Sequence, residues 1–526
     1  MQQVLKAVND FFGIFVGFSN FLWSFPTQFS FWRAIPILGQ FTMPIILLFS
    51  AGIIFTLRSK FVQIRFFKKG VHILMERKTA EIGISPFASF MLSAAMRIGS
   101  GNIVGVTGAI AIGGPGALFW MWVSAFLGMA TSFVEATLSQ IFKERKGDEY
   151  VGGLTHYAEK LYHNRRWVGV AIGIGFFFYR VLSTPVLTFH MYTAVGKMIT
   201  TLTGHPAERT SPLYYALAVF IVISLAIVVF GGIKRVTKLT DKMVPFMAIG
   251  YSALVIFIVV INITKLPGFF VAVFRGAFRP DAIFGGMFGV ALIQGIKRGL
   301  LSNEAGQGTT TMAAATADND HPCEQGLIQA IAVFLDTFVI CTMTGFMVTM
   351  GAIWYNPAYD WNSISKSLID VFAQSVAVLV PGTAFDNLAI IVVCLAYSFF
   401  AFTTLLGGIV FCEISASKIS MSPKMTWFVR IMMVCVMVPV GCLSVLAGLE
   451  LGNMWGLSDL VNVLATFVNV PTILYGGRIA MAALKDYIDT NGAPFCSERI
   501  GIKTDIWTKE FAEARAKRRL EMSAKD

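Results

Sequence analysis

Five ionisable side chains, Arg97, Glu135, Arg298, Glu304 and Asp336, lie within long apolar runs, where charge is costly. They lie in or beside two glycine-rich stretches. The first reads Arg97-Ile98-Gly99-Ser100-Gly101-Asn102-Ile103-Val104-Gly105, and the second Arg298-Gly299-Leu300-Leu301-Ser302-Asn303-Glu304-Ala305-Gly306. Arg, Asn and Gly recur at an offset of 201 residues, and the same offset carries Phe133-Val134-Glu135 onto Phe334-Leu335-Asp336. The chemistry this pattern allows is recognition. A helix broken within a bilayer exposes amides and carbonyls that lipid cannot satisfy, so protein, ligand or ions must. The half-helix after the first break offers free N–H groups and a positive dipole end, which suit a carboxylate. Glycines that only permit close helix packing, such as Gly101 and Gly105 at GxxxG spacing, are the plainer alternative; the second break argues against it. Glu304 could receive an ammonium, bind a cation, carry a proton, or satisfy unwound backbone. The offset further predicts two symmetry-related ion pairs, Arg97–Glu135 and Arg298–Asp336.

The elements that position these residues follow from composition. The chain has 526 residues, 56% hydrophobic and 14% charged, against about 25% charged for a soluble protein. Apolar runs of spanning length predict eleven transmembrane helices near 38–57, 84–112, 117–141, 167–200, 213–232, 241–265, 283–316, 325–352, 388–411, 426–449 and 455–480. Spans two to six and seven to eleven form two groups of five. An odd number inserts the groups in opposite orientation, an inverted repeat, and paired Gly-interrupted segments point to a transporter's binding site. The expected organisation is an interfacial aromatic segment at 1–35, an extra helix with a basic linker at 36–80, a first repeat at 81–266, a second at 267–485 and a tail at 486–526.

The net charge of +12 speaks of topology rather than nucleic acid. Most of the Lys and Arg fall in alternate loops, Arg58–Lys78, Lys143–Arg166, Lys234–Lys242 and Lys418–Lys424, and in the tail. The positive-inside rule makes that side cytoplasmic, with the N-terminus outside and the C-terminus inside. Seven cysteines without metal spacing read as small hydrophobes, and no cleavable signal peptide is evident. Residues 362–380, ended by Pro381-Gly382, predict an external helix capping the entry path, and 504–522 a cytoplasmic helix. Thr403 and Thr404 could bond their own helix or supply hard oxygens to a small cation. Arg180 with Ser183-Thr184-Pro185 marks a kinked polar stretch that lines a pocket or repairs the kink. No phosphate-binding loop, nucleophile elbow or metal cluster is present, so no enzyme is expected.

At these residues the chain resembles the alanine/glycine:cation symporter family, over roughly residues 40–485. Its most specific segments are Gly99–Gly105, Gly113-Gly114-Pro115-Gly116-Ala117-Leu118-Phe119-Trp120-Met121-Trp122, Leu301–Gly306, Val333-Phe334-Leu335-Asp336-Thr337 and Trp455-x-x-Ser458-Asp459-x-x-Asn462. The resemblance implies an all-α polytopic fold, a five-plus-five inverted repeat like that of neurotransmitter:sodium symporters with one extra N-terminal helix. It implies uptake of a small neutral amino acid across a plasma membrane with sodium, or a proton, and no other cofactor. By that resemblance a sodium ion would be held by the Ala95, Ile98 and Phe400 carbonyls with the Thr403 and Thr404 hydroxyls. The substrate carboxylate would meet Gly99, Ser100, Gly101, Asn102 and amides on to Gly105. The ammonium would meet Ser302, Asn303, Glu304, Gly306 and Gln307, with Thr184 as a lining residue. Two departures bear on substrate: residues 182–186 read Leu-Ser-Thr-Pro-Val without the family's Gln, and Leu406-Gly407 is followed by Gly408 rather than Trp. Alanine, glycine or serine is the first expectation; a larger neutral amino acid such as glutamine is the alternative. A channel or an amino-acid sensor are the readings from other classes.

Overall fold

The computed structural model describes residues 2–523 except 36–37, 77, 79, 206–210, 279–286, 352–367, 381 and 447–450. Helix dominates, as it must where backbone groups have no water to bond. By length and composition, eight helices can cross a membrane: Gly116–Ile141, Arg166–Thr203, Pro212–Val229, Ile233–Ile261, Pro322–Met350, Phe385–Ile419, Pro423–Leu446 and Asp459–Asp489. Pro86–Arg97 and Ser100–Gly113, bent by 54° at their break, make a ninth. Two further expected spans are shorter than the roughly 20 residues a bilayer asks for. Met43–Arg58 has 16 residues, and Met287–Asn303 has 17 before the chain breaks again. Helix thus stands at every expected span, while length and composition support eight or nine crossings among the described residues.

The two groups of five run in the same order. Each opens on a broken helix, continues with an unbroken one (Gly116–Ile141; Pro322–Met350, the latter with a π-helical stretch at Phe334–Cys341), then a long one of 38 or 37 residues (Arg166–Thr203; Thr383–Ile419). Those two long helices pack along each other, and the unbroken helix of each group lies against the other group's broken segment. The aromatic N-terminal stretch is a helix, Gln2–Ser24, seated on Leu451–Asp489. Trp23 Nε1 donates to the Asp459 carbonyl at 2.9 Å, and Val16 lies against Gly456. Of the stretch predicted to be an external helix, residues 368–379 are helical (Leu368–Leu379), with Phe372 and Val376 buried; 362–367 and Pro381 lie outside the described residues.

The basic loops gather at one end of the molecule. Lys78 reaches Glu324 at 3.3 Å and Asp320 at 3.6 Å. A two-stranded hairpin, Glu144–Lys146 against Glu149–Val151, meets Lys418 through Glu144 at 3.1 Å. The helix Lys509–Ser523 closes onto the same end: Arg519 pairs with Asp320 at 2.8 Å and Arg515 with Asp318. Trp507 is fully buried there, its Nε1 donating to the Gln140 carbonyl at 2.7 Å.

Candidate functional site

Each break is built from residues that tolerate unwinding and then satisfy it. Helix Pro86–Arg97 ends at Ile98, Gly99 is extended, and a tight turn, Ser100–Asn102, leads into Val104–Gly113. Asn102 fixes this turn, because its Oδ1 accepts the Gly99 N–H at 2.9 Å. The second break follows Met287–Asn303. Glu304, Gly306 and Gly308 all take left-handed backbone, at φ of 53°, 90° and 75°, before helix resumes at Thr311–Thr316. That conformation suits glycine and strains a glutamate, a cost found mostly at functional positions. Glu304 is held by Thr309, whose hydroxyl donates to its Oε2 at 2.6 Å. Gln307 donates back to the Leu300 carbonyl at 2.8 Å, and Asn303 Oδ1 accepts the Ala305 N–H at 3.0 Å.

The two expected ion pairs are not formed. Arg97 donates to the Asn303 carbonyl at 2.8 Å, to Gln329, to Ser132 at 3.0 Å and to Thr310 at 2.8 Å. Glu135 accepts the Gly308 N–H at 3.1 Å and the Asn469 amide. Asp336 accepts from Asn102 at 2.6 Å and from Ser302 at 2.8 Å. Arg298 pairs instead with Asp459 at 3.1 Å, beside Lys297 at 2.6 Å from the same carboxylate. For Arg97 and Glu135 the reason is backbone accounting: unwound segments need partners at this depth, and these two charges serve them; Asp336 is taken up by the side chains that shape the breaks. The arrangement crosses between the repeats. Glu135, from the first group, holds the second break; Asp336, from the second, holds Asn102 in the first.

The breaks meet the helix Arg166–Thr203 around one narrow cavity of about 60 Å³. Gly99, Ser100, Gly101, Leu301 and Glu304 line it from the breaks, Thr404 from a third side, and Tyr179, Arg180, Ser183 and His190 from the facing helix. Of the expected substrate residues, Gly99, Ser100, Gly101 and Glu304 therefore converge. Asn102, Ser302, Asn303 and Gln307 are spent on the breaks themselves. No other atom stands within 4 Å of a side chain built at Gly105, and Gly306 turns towards Leu48. Thr184 is not among the lining residues, its hydroxyl donating to the Arg180 carbonyl of its own helix at 2.7 Å, while Ser183 lines the cavity. Tyr179 and His190 were missed; an aromatic ring in an apolar span carries no signal without its neighbours.

Beside the cavity, four of the five expected cation ligands come together. The Thr404 hydroxyl lies 3.0 Å from the Ala95 carbonyl and 2.8 Å from the Phe400 carbonyl. The Thr403 hydroxyl is 3.1 Å from the same Phe400 oxygen and also contacts Met247 sulfur at 3.7 Å. Ile98 closes the helix end next to them, its N–H on the Ala94 carbonyl at 2.7 Å. Hydroxyl and carbonyl oxygens are the donors a hard cation takes, so this oxygen cluster fits sodium.

Comparison with known proteins gives the same architecture and a family. The profile described as "Sodium:alanine symporter family" matches residues 32–494. The chain is 37% identical to the probable sodium/glutamine symporter GlnT of Bacillus subtilis, over 93% of this chain and 91% of that one. It is 35% identical to the sodium/alanine symporter AgcS of Methanococcus maripaludis, over 69% and 77%. It is 31% identical to a sodium/proton-dependent alanine carrier protein of Bacillus sp. PS3, over 79% and 91%. Among solved structures, MhsT in complex with L-phenylalanine matches with a TM-score of 0.52 at 14% identity, over 83% of this chain and 96% of that one, a likeness of fold.

Proposed function

The chain belongs to the sodium:alanine symporter family, multi-pass membrane transporters rather than enzymes, and from that premise we propose that it carries a small neutral amino acid into the cell together with sodium. The observation that carries the proposal is the position of Thr404. Its hydroxyl bridges the Ala95 and Phe400 carbonyls and also lines the cavity. Cation and substrate would thus share the first broken helix. Sodium would draw the helix Thr383–Ile419 onto that segment and fix the cavity wall formed by Gly99–Gly101. The substrate carboxylate would meet the first break and its ammonium Glu304. Sodium drives uptake only if it favours the substrate-competent state over the others. Rocking of one repeat group against the other would then expose the site to the opposite face. The N-terminus would lie outside a plasma membrane and the basic end inside.

The test is uptake of a panel of labelled neutral amino acids into proteoliposomes, with and without an inward sodium gradient. Concentrative uptake only under the sodium gradient is the expected result. Uptake driven by a proton gradient alone would move the coupling to Glu304. Equilibration without concentration under either gradient would sink the symport reading.

A further inference from the structure

We propose that Arg180 reads the side chain of the transported amino acid, and that the preferred substrate is a neutral amino acid whose side chain ends in a carboxamide. The proposal rests on the reading of the cavity as the substrate site.

Arg180 is 3% exposed and lines the cavity, yet its Nε and Nη2 have no hydrogen-bond partner among the described residues. The contrast with Arg97 is plain, since that guanidinium meets four acceptors. Stranded buried donors are costly, and more so on a charged group. Arg180 is nevertheless held in place, its guanidinium carbon 4.6 Å from the Tyr179 ring centre and 5.6 Å from that of Phe411. Gly408 lies beside it: a Cβ there would stand 3.7 Å from Arg180 Nη1 and 3.8 Å from Cδ, in ordinary contact, so a longer side chain directed that way would crowd the group.

On that reading of the cavity as the substrate site, and once its volume of about 60 Å³ widens to admit an amino acid, the ammonium would be met by Glu304 and the α-carboxylate by the break at Gly99–Gly101. Arg180 stands on the opposite wall, on the helix Arg166–Thr203. What it lacks is an acceptor, and the remaining source is the substrate's side chain. A planar guanidinium takes a carboxylate with two donors or a carboxamide oxygen with one. Alanine would leave those donors unpaired, and a site with buried donors discriminates strongly against ligands lacking the matching group.

The experiment is competition against labelled substrate in sodium-driven proteoliposomes, with asparagine, glutamine, aspartate, glutamate, alanine and the apolar norvaline as competitors. In wild type at least one acceptor-bearing competitor should outcompete norvaline by about tenfold or more, the scale of one charge-assisted hydrogen bond. The amides should lead, and a lead by the acids would overturn the carboxamide and the neutral substrate with it. Arg180→Met should erase that ratio, and Arg180→Lys should keep part of it. Gly408→Leu, which leaves Arg180 in the chain but crowds it, should lower the same ratio and covers the case in which Arg180→Met does not fold. A wild type indifferent to the acceptor overturns the proposal, and so does an Arg180→Met variant that weakens all six competitors alike, because Arg180 would then serve the α-carboxylate or the fold. Failure of wild type to concentrate any amino acid would overturn the proposed function itself, and this inference with it.

Discussion

Thr403 and Thr404 are adjacent and chemically identical, yet they face different neighbours. Thr404 touches the first break, whereas Thr403 faces Met247 and its own helix. Thr404→Ala should therefore raise the sodium concentration for half-maximal uptake by about tenfold, the loss of one hydrogen-bonding oxygen to a charged group. Thr403→Ala should raise it less, and sodium titration of initial uptake rates decides; equal effects would remove the distinction. Asp336 makes a second test. Asp336→Leu takes the carboxylate acceptor from Asn102 Nδ2 and the Ser302 hydroxyl and leaves them mainly the Cys341 sulfur, a weak acceptor, at 3.4 and 3.2 Å, a cost of about 1–3 kcal/mol. The purified variant should melt well below wild type in detergent and lose uptake. A stable, active Asp336→Leu protein would mean the first break does not depend on this carboxylate. The sequence marked these threonines and this aspartate as special. It did not reveal their partners, which for the aspartate include neutral Asn102 and Ser302, residue types common in any helix.

At the scale of elements, the glycines of the first break divide by what surrounds them. A Cβ at Gly99 would stand 2.7 Å from the Thr404 hydroxyl, whereas one at Gly105 meets nothing within 4 Å. Gly99→Ala should cost about 1–3 kcal/mol in crowding and abolish most sodium-dependent uptake; Gly105→Ala should stay close to wild type. Parallel uptake assays settle this, and a strong defect in Gly105→Ala would restore the packing role for that glycine. Both breaks were legible because Gly, Asn and Arg recur at one offset, and few reasons other than unwinding put them in apolar helices. The ion pairs were misread on that same symmetry. The offset places each charge in its own repeat, but the fold sets Glu135 against the Gly308 N–H of the opposite break and Asp336 against the Asn102 side chain of the other, a relation that appears only when the helices are packed.

The whole molecule is capped at one end by its own tail. Burial pushes the Asp320 carboxyl up, but Lys78 and Arg519 beside it hold it below its ordinary value. A carboxylate depressed in the folded state contributes stability fully above its unfolded value, near 3.9, and loses it as pH falls further. The protection of Lys509–Ser523 against hydrogen exchange, taken relative to the intrinsic rate at each pH, should therefore be unchanged between about pH 8 and 5 and fall only below about 4. Asp320→Asn should loosen the helix already at neutral pH, and unaltered protection there would show that the cap rests on Trp507 and Arg515 instead. The exchange of carboxylates between repeats also has a consequence for biogenesis. When the ribosome has delivered only the first half, Glu135 has no second break to hold and Asn102 no Asp336 to hold it. Neither half is a self-sufficient folding unit, so the first must wait in the membrane, open to quality control, until the second arrives. A chain divided between the repeats should accumulate when both fragments are made together, and be degraded when either is made alone.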